Sequence, residues 1–325
     1  MRGSLGALVL AFALVSAAPP AAAFEPKVLD SVVSVLPLWP GYGQGGGQGG
    51  GQGGQLGAPP GEEPEGTAVA IRAGGYLATA LHIVDRAETI TLRLSDGRLR
   101  PAALVGGDPA TDLAVLRIDD DLPVLDLGPE PALGAPVCAV GNQFGLDLSV
   151  TCGVVSAVRR SGVGFNPIED FIQTDAVVNP GASGGALVDE RGRLVGLLSA
   201  IFTKQSDADI GVNFAVSAAL LARVADDLIA LGRVRRAAPG FALDELDEAA
   251  RRTLAGVRVI GVAPGGAAAA SGIEVGDVIT GIGGRRPRKV AEALAAVQLH
   301  RPGDEVEVEL LRGGEPRKVI LTLPP

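Results

Sequence analysis

NPGASGGALVDERGRLVGL, residues 179–197, sets a serine among glycines and then runs on into apolar residues. Two folds follow from two readings of what comes after Ser183. As the Gly-x-Ser-x-Gly corner of a strand–turn–helix, the stretch would be a nucleophile elbow in an alternating β/α chain. Its histidine would then follow later in sequence, which leaves His300 as the base. As two short strands about Asp189-Glu190-Arg191-Gly192, it would be a hairpin of an antiparallel sheet. GALV and RLVGL are β-prone, lack helical spacing and are parted by turn residues, so the hairpin is the better reading. His300, in LHRPGDE, sits in a turn context of its own. On this stretch alone a plain turn without chemistry remains open.

Outward from the hairpin the same pattern continues in both directions. TAVAIRAGGYLATALHIV, ETITLRLSDGRLRPAALVGG, DLAVLRID, PVCAVGN, LSVTCGVVSAV and GVNFAV are short β-prone runs bounded by turns, with a second hairpin turn at Ser95-Asp96-Gly97-Arg98. No long helical periodicity interrupts them until SAALLARVADDLIALGRV, 217–234, which should end near Gly232. Many strands without intervening helices predict an antiparallel barrel or sandwich rather than a doubly wound sheet. Past a basic, Pro-containing joint, RVRRAAPG at 233–240, strands (GVRVIGVAP, DEVEVELLR, RKVILTL) mix with helical stretches (DELDEAARRTL, RKVAEALAAVQ) in a second, α+β unit. The division predicted is 1–23 leader, 24–66 N-terminal segment, 67–236 mainly β domain and 237–325 second domain.

The first 23 residues carry one basic residue, Arg2, an apolar run and then Ala21-Ala22-Ala23. That is the pattern of a secretory signal peptide cut before Phe24. The run is too short for a bilayer core that needs about 20 apolar residues, so no stable membrane span is expected. Residues 43–66 are a Gly/Gln repeat passing into Pro and Glu, which cannot bury apolar surface and reads as a flexible loop. A net charge of −9 speaks against nucleic acid or an anionic membrane surface as partner. Export makes the only two cysteines informative. Folding 138–152 as a hairpin about Gly145 sets Cys138 opposite Cys152, as a disulfide or as two reduced, buried thiols.

The only histidines are His82 and His300. His82 ends the apolar strand of GYLATALHIVDRA; a core histidine satisfied by backbone is the alternative to a base. Asp112 stands at the mouth of the strand in DPATDLAVLRID, where a carboxylate entering a core needs a charge partner or several hydrogen bonds. His82 would supply one. With Ser183 further on, the order His, Asp, Ser in one β-rich domain is that of a nucleophilic triad.

Those stretches together resemble the HtrA/Deg family of exported trypsin-like serine proteases. The matching motifs are GYLATALHIVD, LSDGR at 94–98, DPATDLAVLRI, VGNQFGL at 140–146, FIQTDA at 171–176, NPGASGGALV and GVNFAV at 211–216. The second unit, above all VIGVAPGGAAAASGIEVGDVITGIGG at 259–284, resembles one PDZ domain. The resemblance implies a mainly β fold, a chymotrypsin-like double β-barrel followed by an α+β PDZ domain. It implies Ser183 as nucleophile, His82 as general base, Asp112 as its orienter, and an oxyanion hole from the N–H groups of Gly181 and Ser183. It also implies a specificity pocket lined by Val178, Leu198, Ser199, Ala200 and Ile201, aliphatic and without an acid, hence a preference for apolar side chains. Gly240, Phe241, Ala242 and Leu243 would form the PDZ carboxylate loop; the alternative is a domain that only packs on the protease. No metal or cofactor is implied. The implied partners are misfolded polypeptides and C-terminal peptides, in a periplasmic homotrimer with 24–42 near its contacts. Loop 159–170 would shift between inactive and active arrangements, with Arg160 as the sensor. Two positions depart from the family: Ala182 stands where Asn usually precedes the nucleophile, and Ala80 follows Thr79 where Asn is usual. A chaperone-like protein with a weak or inactive site therefore remains the alternative to a protease.

Overall fold

The structure, a computed structural model, describes residues 24–40, 65–201 and 211–324. The leader, most of the Gly/Gln-rich stretch and the loop with Asp207 and Asp209, read from sequence as solvated, lie outside the described residues.

Twelve strands close two barrels. The first consists of β1 (Val32–Leu38), β2 (Gly66–Arg72), β3 (Tyr76–Ala80), β4 (Thr89–Arg93), β5 (Leu99–Asp108) and β6 (Leu113–Arg117), closed in the order β1-β2-β3-β6-β5-β4. The second consists of β7 (Pro136–Gly141), β8 (Ser149–Arg160), β9 (Phe171–Thr174), β10 (Ala186–Asp189), β11 (Leu194–Ile201) and β12 (Asn213–Ser217), in the order β10-β11-β12-β9-β8-β7. Every pairing within them is antiparallel. The opening stretch is thus a hairpin: β10 and β11 pair directly about Asp189–Gly192, where the Gly192 N–H returns to the Asp189 carbonyl.

The near-continuous apolar runs have a physical reason. Successive side chains of a strand point to opposite faces, and here both faces are dry. In β6, Ala114 and Leu116 fill the first barrel while Leu113 and Val115 face a core between the barrels. In β10, Leu187 points into the second barrel while Ala186 and Val188 join the same seam. Fully buried Leu77, Leu92 and Leu116 of the first barrel contribute about 2 kcal/mol each. α1 (Leu81–Val84) is a single turn at the end of β3. α2 (Ala218–Leu231) begins on Ser217, whose side chain accepts from the Leu220 N–H, and ends on left-handed Gly232. Its Leu220, Leu221, Val224 and Leu228 close the seam from outside.

A second core runs from Ala237 to Leu323 under the sheet β13 (Phe241–Glu245), β14 (Val257–Val262), β15 (Val278–Ile282), β16 (Glu305–Arg312) and β17 (Glu315–Thr322), in that order. Its helices are α3 (Glu248–Arg251), α4 (Ala267–Ala270) and α5 (Val290–Gln298). The helical stretch expected over DELDEAARRTL shrinks to the one turn of α3, because Asp244 and Glu245 are spent on β13. Among the described residues no helix is long and apolar enough to cross a membrane.

Candidate active site

The cleft takes His82 and Asp112 from the first barrel and Ser183 from the loop before β10. Asp112 sits one residue before β6 at φ 57°, a left-handed conformation that aspartate tolerates better than most residues. The bend lets Asp112 hold His82 by two contacts and the neighbouring Leu81 by a third. Its carbonyl accepts the Leu81 N–H (2.9 Å), Oδ1 accepts the His82 N–H (2.9 Å), and Oδ2 lies 2.6 Å from His82 Nδ1. A carboxylate oxygen can only accept, so the contact assigns a proton to Nδ1 and leaves Nε2 as the ring nitrogen without a part in the pair. Asp112 is the more sheltered of the two, 17 % exposed against 47 % for His82. Behind it Thr111 Oγ1 donates to Asp108 (2.5 Å), which is ion-paired with Arg236 of the interdomain joint.

Ser183 lies in a loop stitched to three neighbours. The Gly184 N–H donates to the Leu198 carbonyl (2.7 Å) and the Leu198 N–H returns to Gly185 (2.8 Å), which fixes the loop along β11. Where β11 shifts register between Leu198 and Ala200, the Ser199 carbonyl turns to Ser183 and accepts from its Oγ at 3.4 Å. Ser183 makes no hydrogen bond to His82 in this arrangement. Gly181 adopts φ 88°, and a Cβ there would fall 2.2 Å from the Asn142 carbonyl oxygen, so no other residue fits. The N–H groups of Gly181 and Ser183 donate to no protein group among the described residues, whereas those of Ala182, Gly184 and Gly185 are all used. Two unspent donors, one on the serine itself and one two residues before it, are what a developing oxyanion needs. Ala182 is fully buried with its Cβ against Gly141, so the departure from the family pattern falls on a packed position behind the donors.

Val178 and Leu198 are buried in the core of the second barrel and Ser199 lies beside Ser183; of Ala200 and Ile201 only the backbone is described. Cys138 and Cys152 face each other across β7 and β8 and are joined by a disulfide, S–S 2.06 Å. The loop between them, 142–148, forms the wall behind Gly181: Phe144 donates its N–H to the Pro180 carbonyl (2.7 Å) from a strained φ of 56°. In the second unit Gly240 (φ 81°) forms the turn, and Phe241, Ala242 and Leu243 are the first residues of β13 rather than a free loop. β13 is an edge strand, paired only with β14 among the described residues. His300 lies in that unit, half-buried, with its ring beside Gly283 and its carbonyl accepting from Arg223 of α2, so it has no part in the cleft.

Several residues of this architecture carry no sequence signal. Thr67 and Thr79, read as strand residues, hydrogen-bond through Thr79 Oγ1 to the Thr67 carbonyl (2.7 Å) behind Ser183. The Glu169 carboxylate gathers the N–H groups of Val163, Gly164, Phe165 and Asn166 and so shapes loop 161–170. Arg159 pairs with Glu130, which Arg285 of the second domain approaches at 3.7 Å. Four backbone partners of one acid are invisible until the loop is folded.

Two closed six-stranded barrels, with a histidine–aspartate pair on one and, on the other, a serine whose own N–H and that of Gly181 are spare, define a trypsin-like serine-protease fold. A separate PDZ-type sheet follows it. Comparison with known families agrees: a trypsin-like peptidase domain matches residues 66–197 and a PDZ domain matches 208–323, although β12 and α2 pack with the barrels. The periplasmic pH-dependent serine endoprotease DegQ of Escherichia coli is 34 % identical over 268 residues, 79 % of this chain and 59 % of that protein. The periplasmic serine endoprotease DegP of Salmonella typhimurium is 37 % identical over 79 % of this chain and 56 % of its own length. The chain therefore spans less than two thirds of these curated relatives. Among solved structures, the HtrA-type protease AlgW with a tripeptide superposes with a TM-score of 0.69 at 35 % identity, covering 92 % of this chain and 94 % of that one. The Yersinia pestis serine endoprotease does so with a TM-score of 0.57 at 32 % identity, covering 92 % and 95 %. The chain belongs to the HtrA/Deg family of trypsin-like serine proteases with a PDZ domain.

Proposed function

We propose that this chain is an exported serine endopeptidase that degrades misfolded envelope proteins, with its protease domain ending near residue 236 and its PDZ domain following. The observation that carries the reading is the His82–Asp112 pair opposite Ser183 with two unspent N–H groups beside it. In the reaction, rotation of Ser183 Oγ away from the Ser199 carbonyl brings it to His82 Nε2. His82 takes the hydroxyl proton as Oγ attacks the peptide carbonyl, and Asp112 stabilises the imidazolium. The N–H groups of Gly181 and Ser183 receive the negative oxygen, each worth about 3–4 kcal/mol. His82 then protonates the leaving amine, and water enters by the same steps to release the acyl group.

Val178, Leu198 and Ser199, with Ala200 and Ile201, frame a specificity pocket for small or medium apolar side chains. Peptide-library cleavage should therefore place Val or Ala, not Lys or Arg, before the scissile bond. The open edge of β13 suits an extended peptide added as a further strand, with Gly240 to Leu243 near its carboxylate. The leader pattern, the disulfide and the periplasmic relatives together support a periplasmic location. A homotrimer built with 24–42 near its contacts is checked by light scattering on the purified protein.

The deciding experiment is cleavage of casein by residues 24–325 beside S183A, H82A and H300A. The first two substitutions should abolish cleavage and the third should leave it. A second reading, a peptide-binding protein without proteolysis, has the Ser183–Ser199 hydrogen bond in its favour. A parent that cuts nothing even with C-terminal peptides added would establish it.

A further inference from the structure

The oxyanion-hole N–H groups are only as good as the peptide planes that carry them, and those planes have identifiable supports. The Gly181 N–H shares its plane with the Pro180 carbonyl, held by Phe144, and the Ser183 N–H shares its plane with the Ala182 carbonyl, which accepts from Gly185 (2.8 Å). What remains is the orientation of the two planes that follow, held at one end by the Ala182 N–H on Asn179 (3.1 Å) and the Gly184 N–H on Leu198 (2.7 Å), and at the other by the Gly181 and Ser183 carbonyls. Both carbonyls end on one residue of the opposite barrel. Thr67, fully buried at the start of β2, donates Oγ1–H to the Gly181 carbonyl (2.8 Å) and its N–H to the Ser183 carbonyl (2.9 Å). The same Oγ1 accepts the N–H of Asn142 (2.9 Å), and the Thr67 carbonyl accepts Thr79 Oγ1 (2.7 Å). Its hydroxyl therefore bridges the two segments that build the hole, 141–145 and 179–185, and spends its proton and one lone pair in doing so.

We infer that Thr67 is a positioning residue for the oxyanion hole: its hydroxyl locks the Gly181 and Asn142 segments together so that both donors point at the developing oxygen. The inference rests on the proposed reading of Ser183 as nucleophile. Valine has the shape of threonine without the hydroxyl, so T67V removes the bridge and little else. Because the hole acts in the transition state and not on the bound substrate, the loss should fall on kcat. A misplacement of about 1 Å near the reacting atoms can cost about 10²-fold.

The test uses residues 24–325 of the parent, T67V and T67S, a peptide ester substrate, a peptide boronate with valine at its first position, and the corresponding product peptide. T67V should lose about 10–100-fold in kcat with KM within about threefold. It should lose boronate affinity by a similar factor and keep its affinity for the product peptide, and T67S should recover most of kcat. Should T67V not fold by circular dichroism, T67A is read by the same quantities. The inference is overturned if the folded variant keeps kcat within about twofold, or loses kcat without losing boronate affinity. If the parent neither turns over the ester nor binds the boronate, and S183A matches it, the protease reading fails whatever Thr67 does.

Discussion

Asp112 is asked for two things at one position, a left-handed backbone and two acceptor oxygens, and D112N separates them. Asparagine tolerates the same φ and can still accept the His82 N–H, but it presents an NH2 group to Nδ1. His82 must then carry its proton on Nε2, the nitrogen that should receive one from Ser183. We expect kcat to fall by about 10⁴ with the melting temperature nearly unchanged, measured by ester hydrolysis beside thermal unfolding. The other histidine makes a prediction about pH. Burial, offset only in part by Asp304, holds the His300 imidazole below its ordinary value of 6.5. The folded form then binds its proton less readily than the unfolded chain. The stability this residue allows is present above about pH 6.5 and is lost as pH falls through the folded value. Unfolding temperatures taken from pH 7.5 down to 5 should drop for the parent, and drop less for H300Q. At this scale the candidate residues were legible because His82, Asp112 and Ser183 are rare or costly residue types in their contexts, and the fold brings His82 onto Asp112. Thr67 was not: in TAVAIR a threonine is an ordinary strand residue, and its task is set by loops 75 and 114 residues away.

The strands were legible as elements for a reason that also limits the reading. Runs such as LAVL and ALVD are apolar at every position because one face fills a barrel and the other the seam. Alternation therefore could not say which face was which, nor that twelve strands close into two barrels instead of one sandwich. α2 was legible through its apolar spacing and its Gly232 stop, while α3 was overread because β13 captures the acidic residues before it. The β7–β8 pair carries the prediction proper to this scale. The disulfide closes the loop whose residues 142–144 back the Gly181 turn, and closing a loop of that size stabilises the fold by about 3 kcal/mol in the chain-entropy model. A C138V/C152V variant should unfold several degrees lower than the parent. Full reduction should reproduce the shift in the parent and leave the variant unmoved, which calorimetry with and without a thiol would read.

The relation between the two domains depends on pairs that no local pattern announces. Arg301 meets Asp226 at 2.8 Å, but both are about 40 % exposed, so that pair is worth little. Asp170 is different. It is 1 % exposed, accepts the Ser217 hydroxyl at 2.5 Å, and is held in a two-pronged ion pair by Arg285 of the PDZ domain, 115 residues on. A carboxylate taken so far from water is tolerable only while its partner stays. Removing that partner strands the charge, which typically costs 3–5 kcal/mol by the general experience of about that range for buried pairs. R285A should accordingly lower the stability of the whole chain by about that amount, and R301A by under about 1 kcal/mol. Pairing R285M with D170N, which removes both charges and keeps the bulk, should recover most of the loss. Chemical denaturation of the four proteins decides it. If R285A and R301A unfold alike, Asp170 finds its compensation within the barrel, and the PDZ domain is held on by its smaller contacts alone.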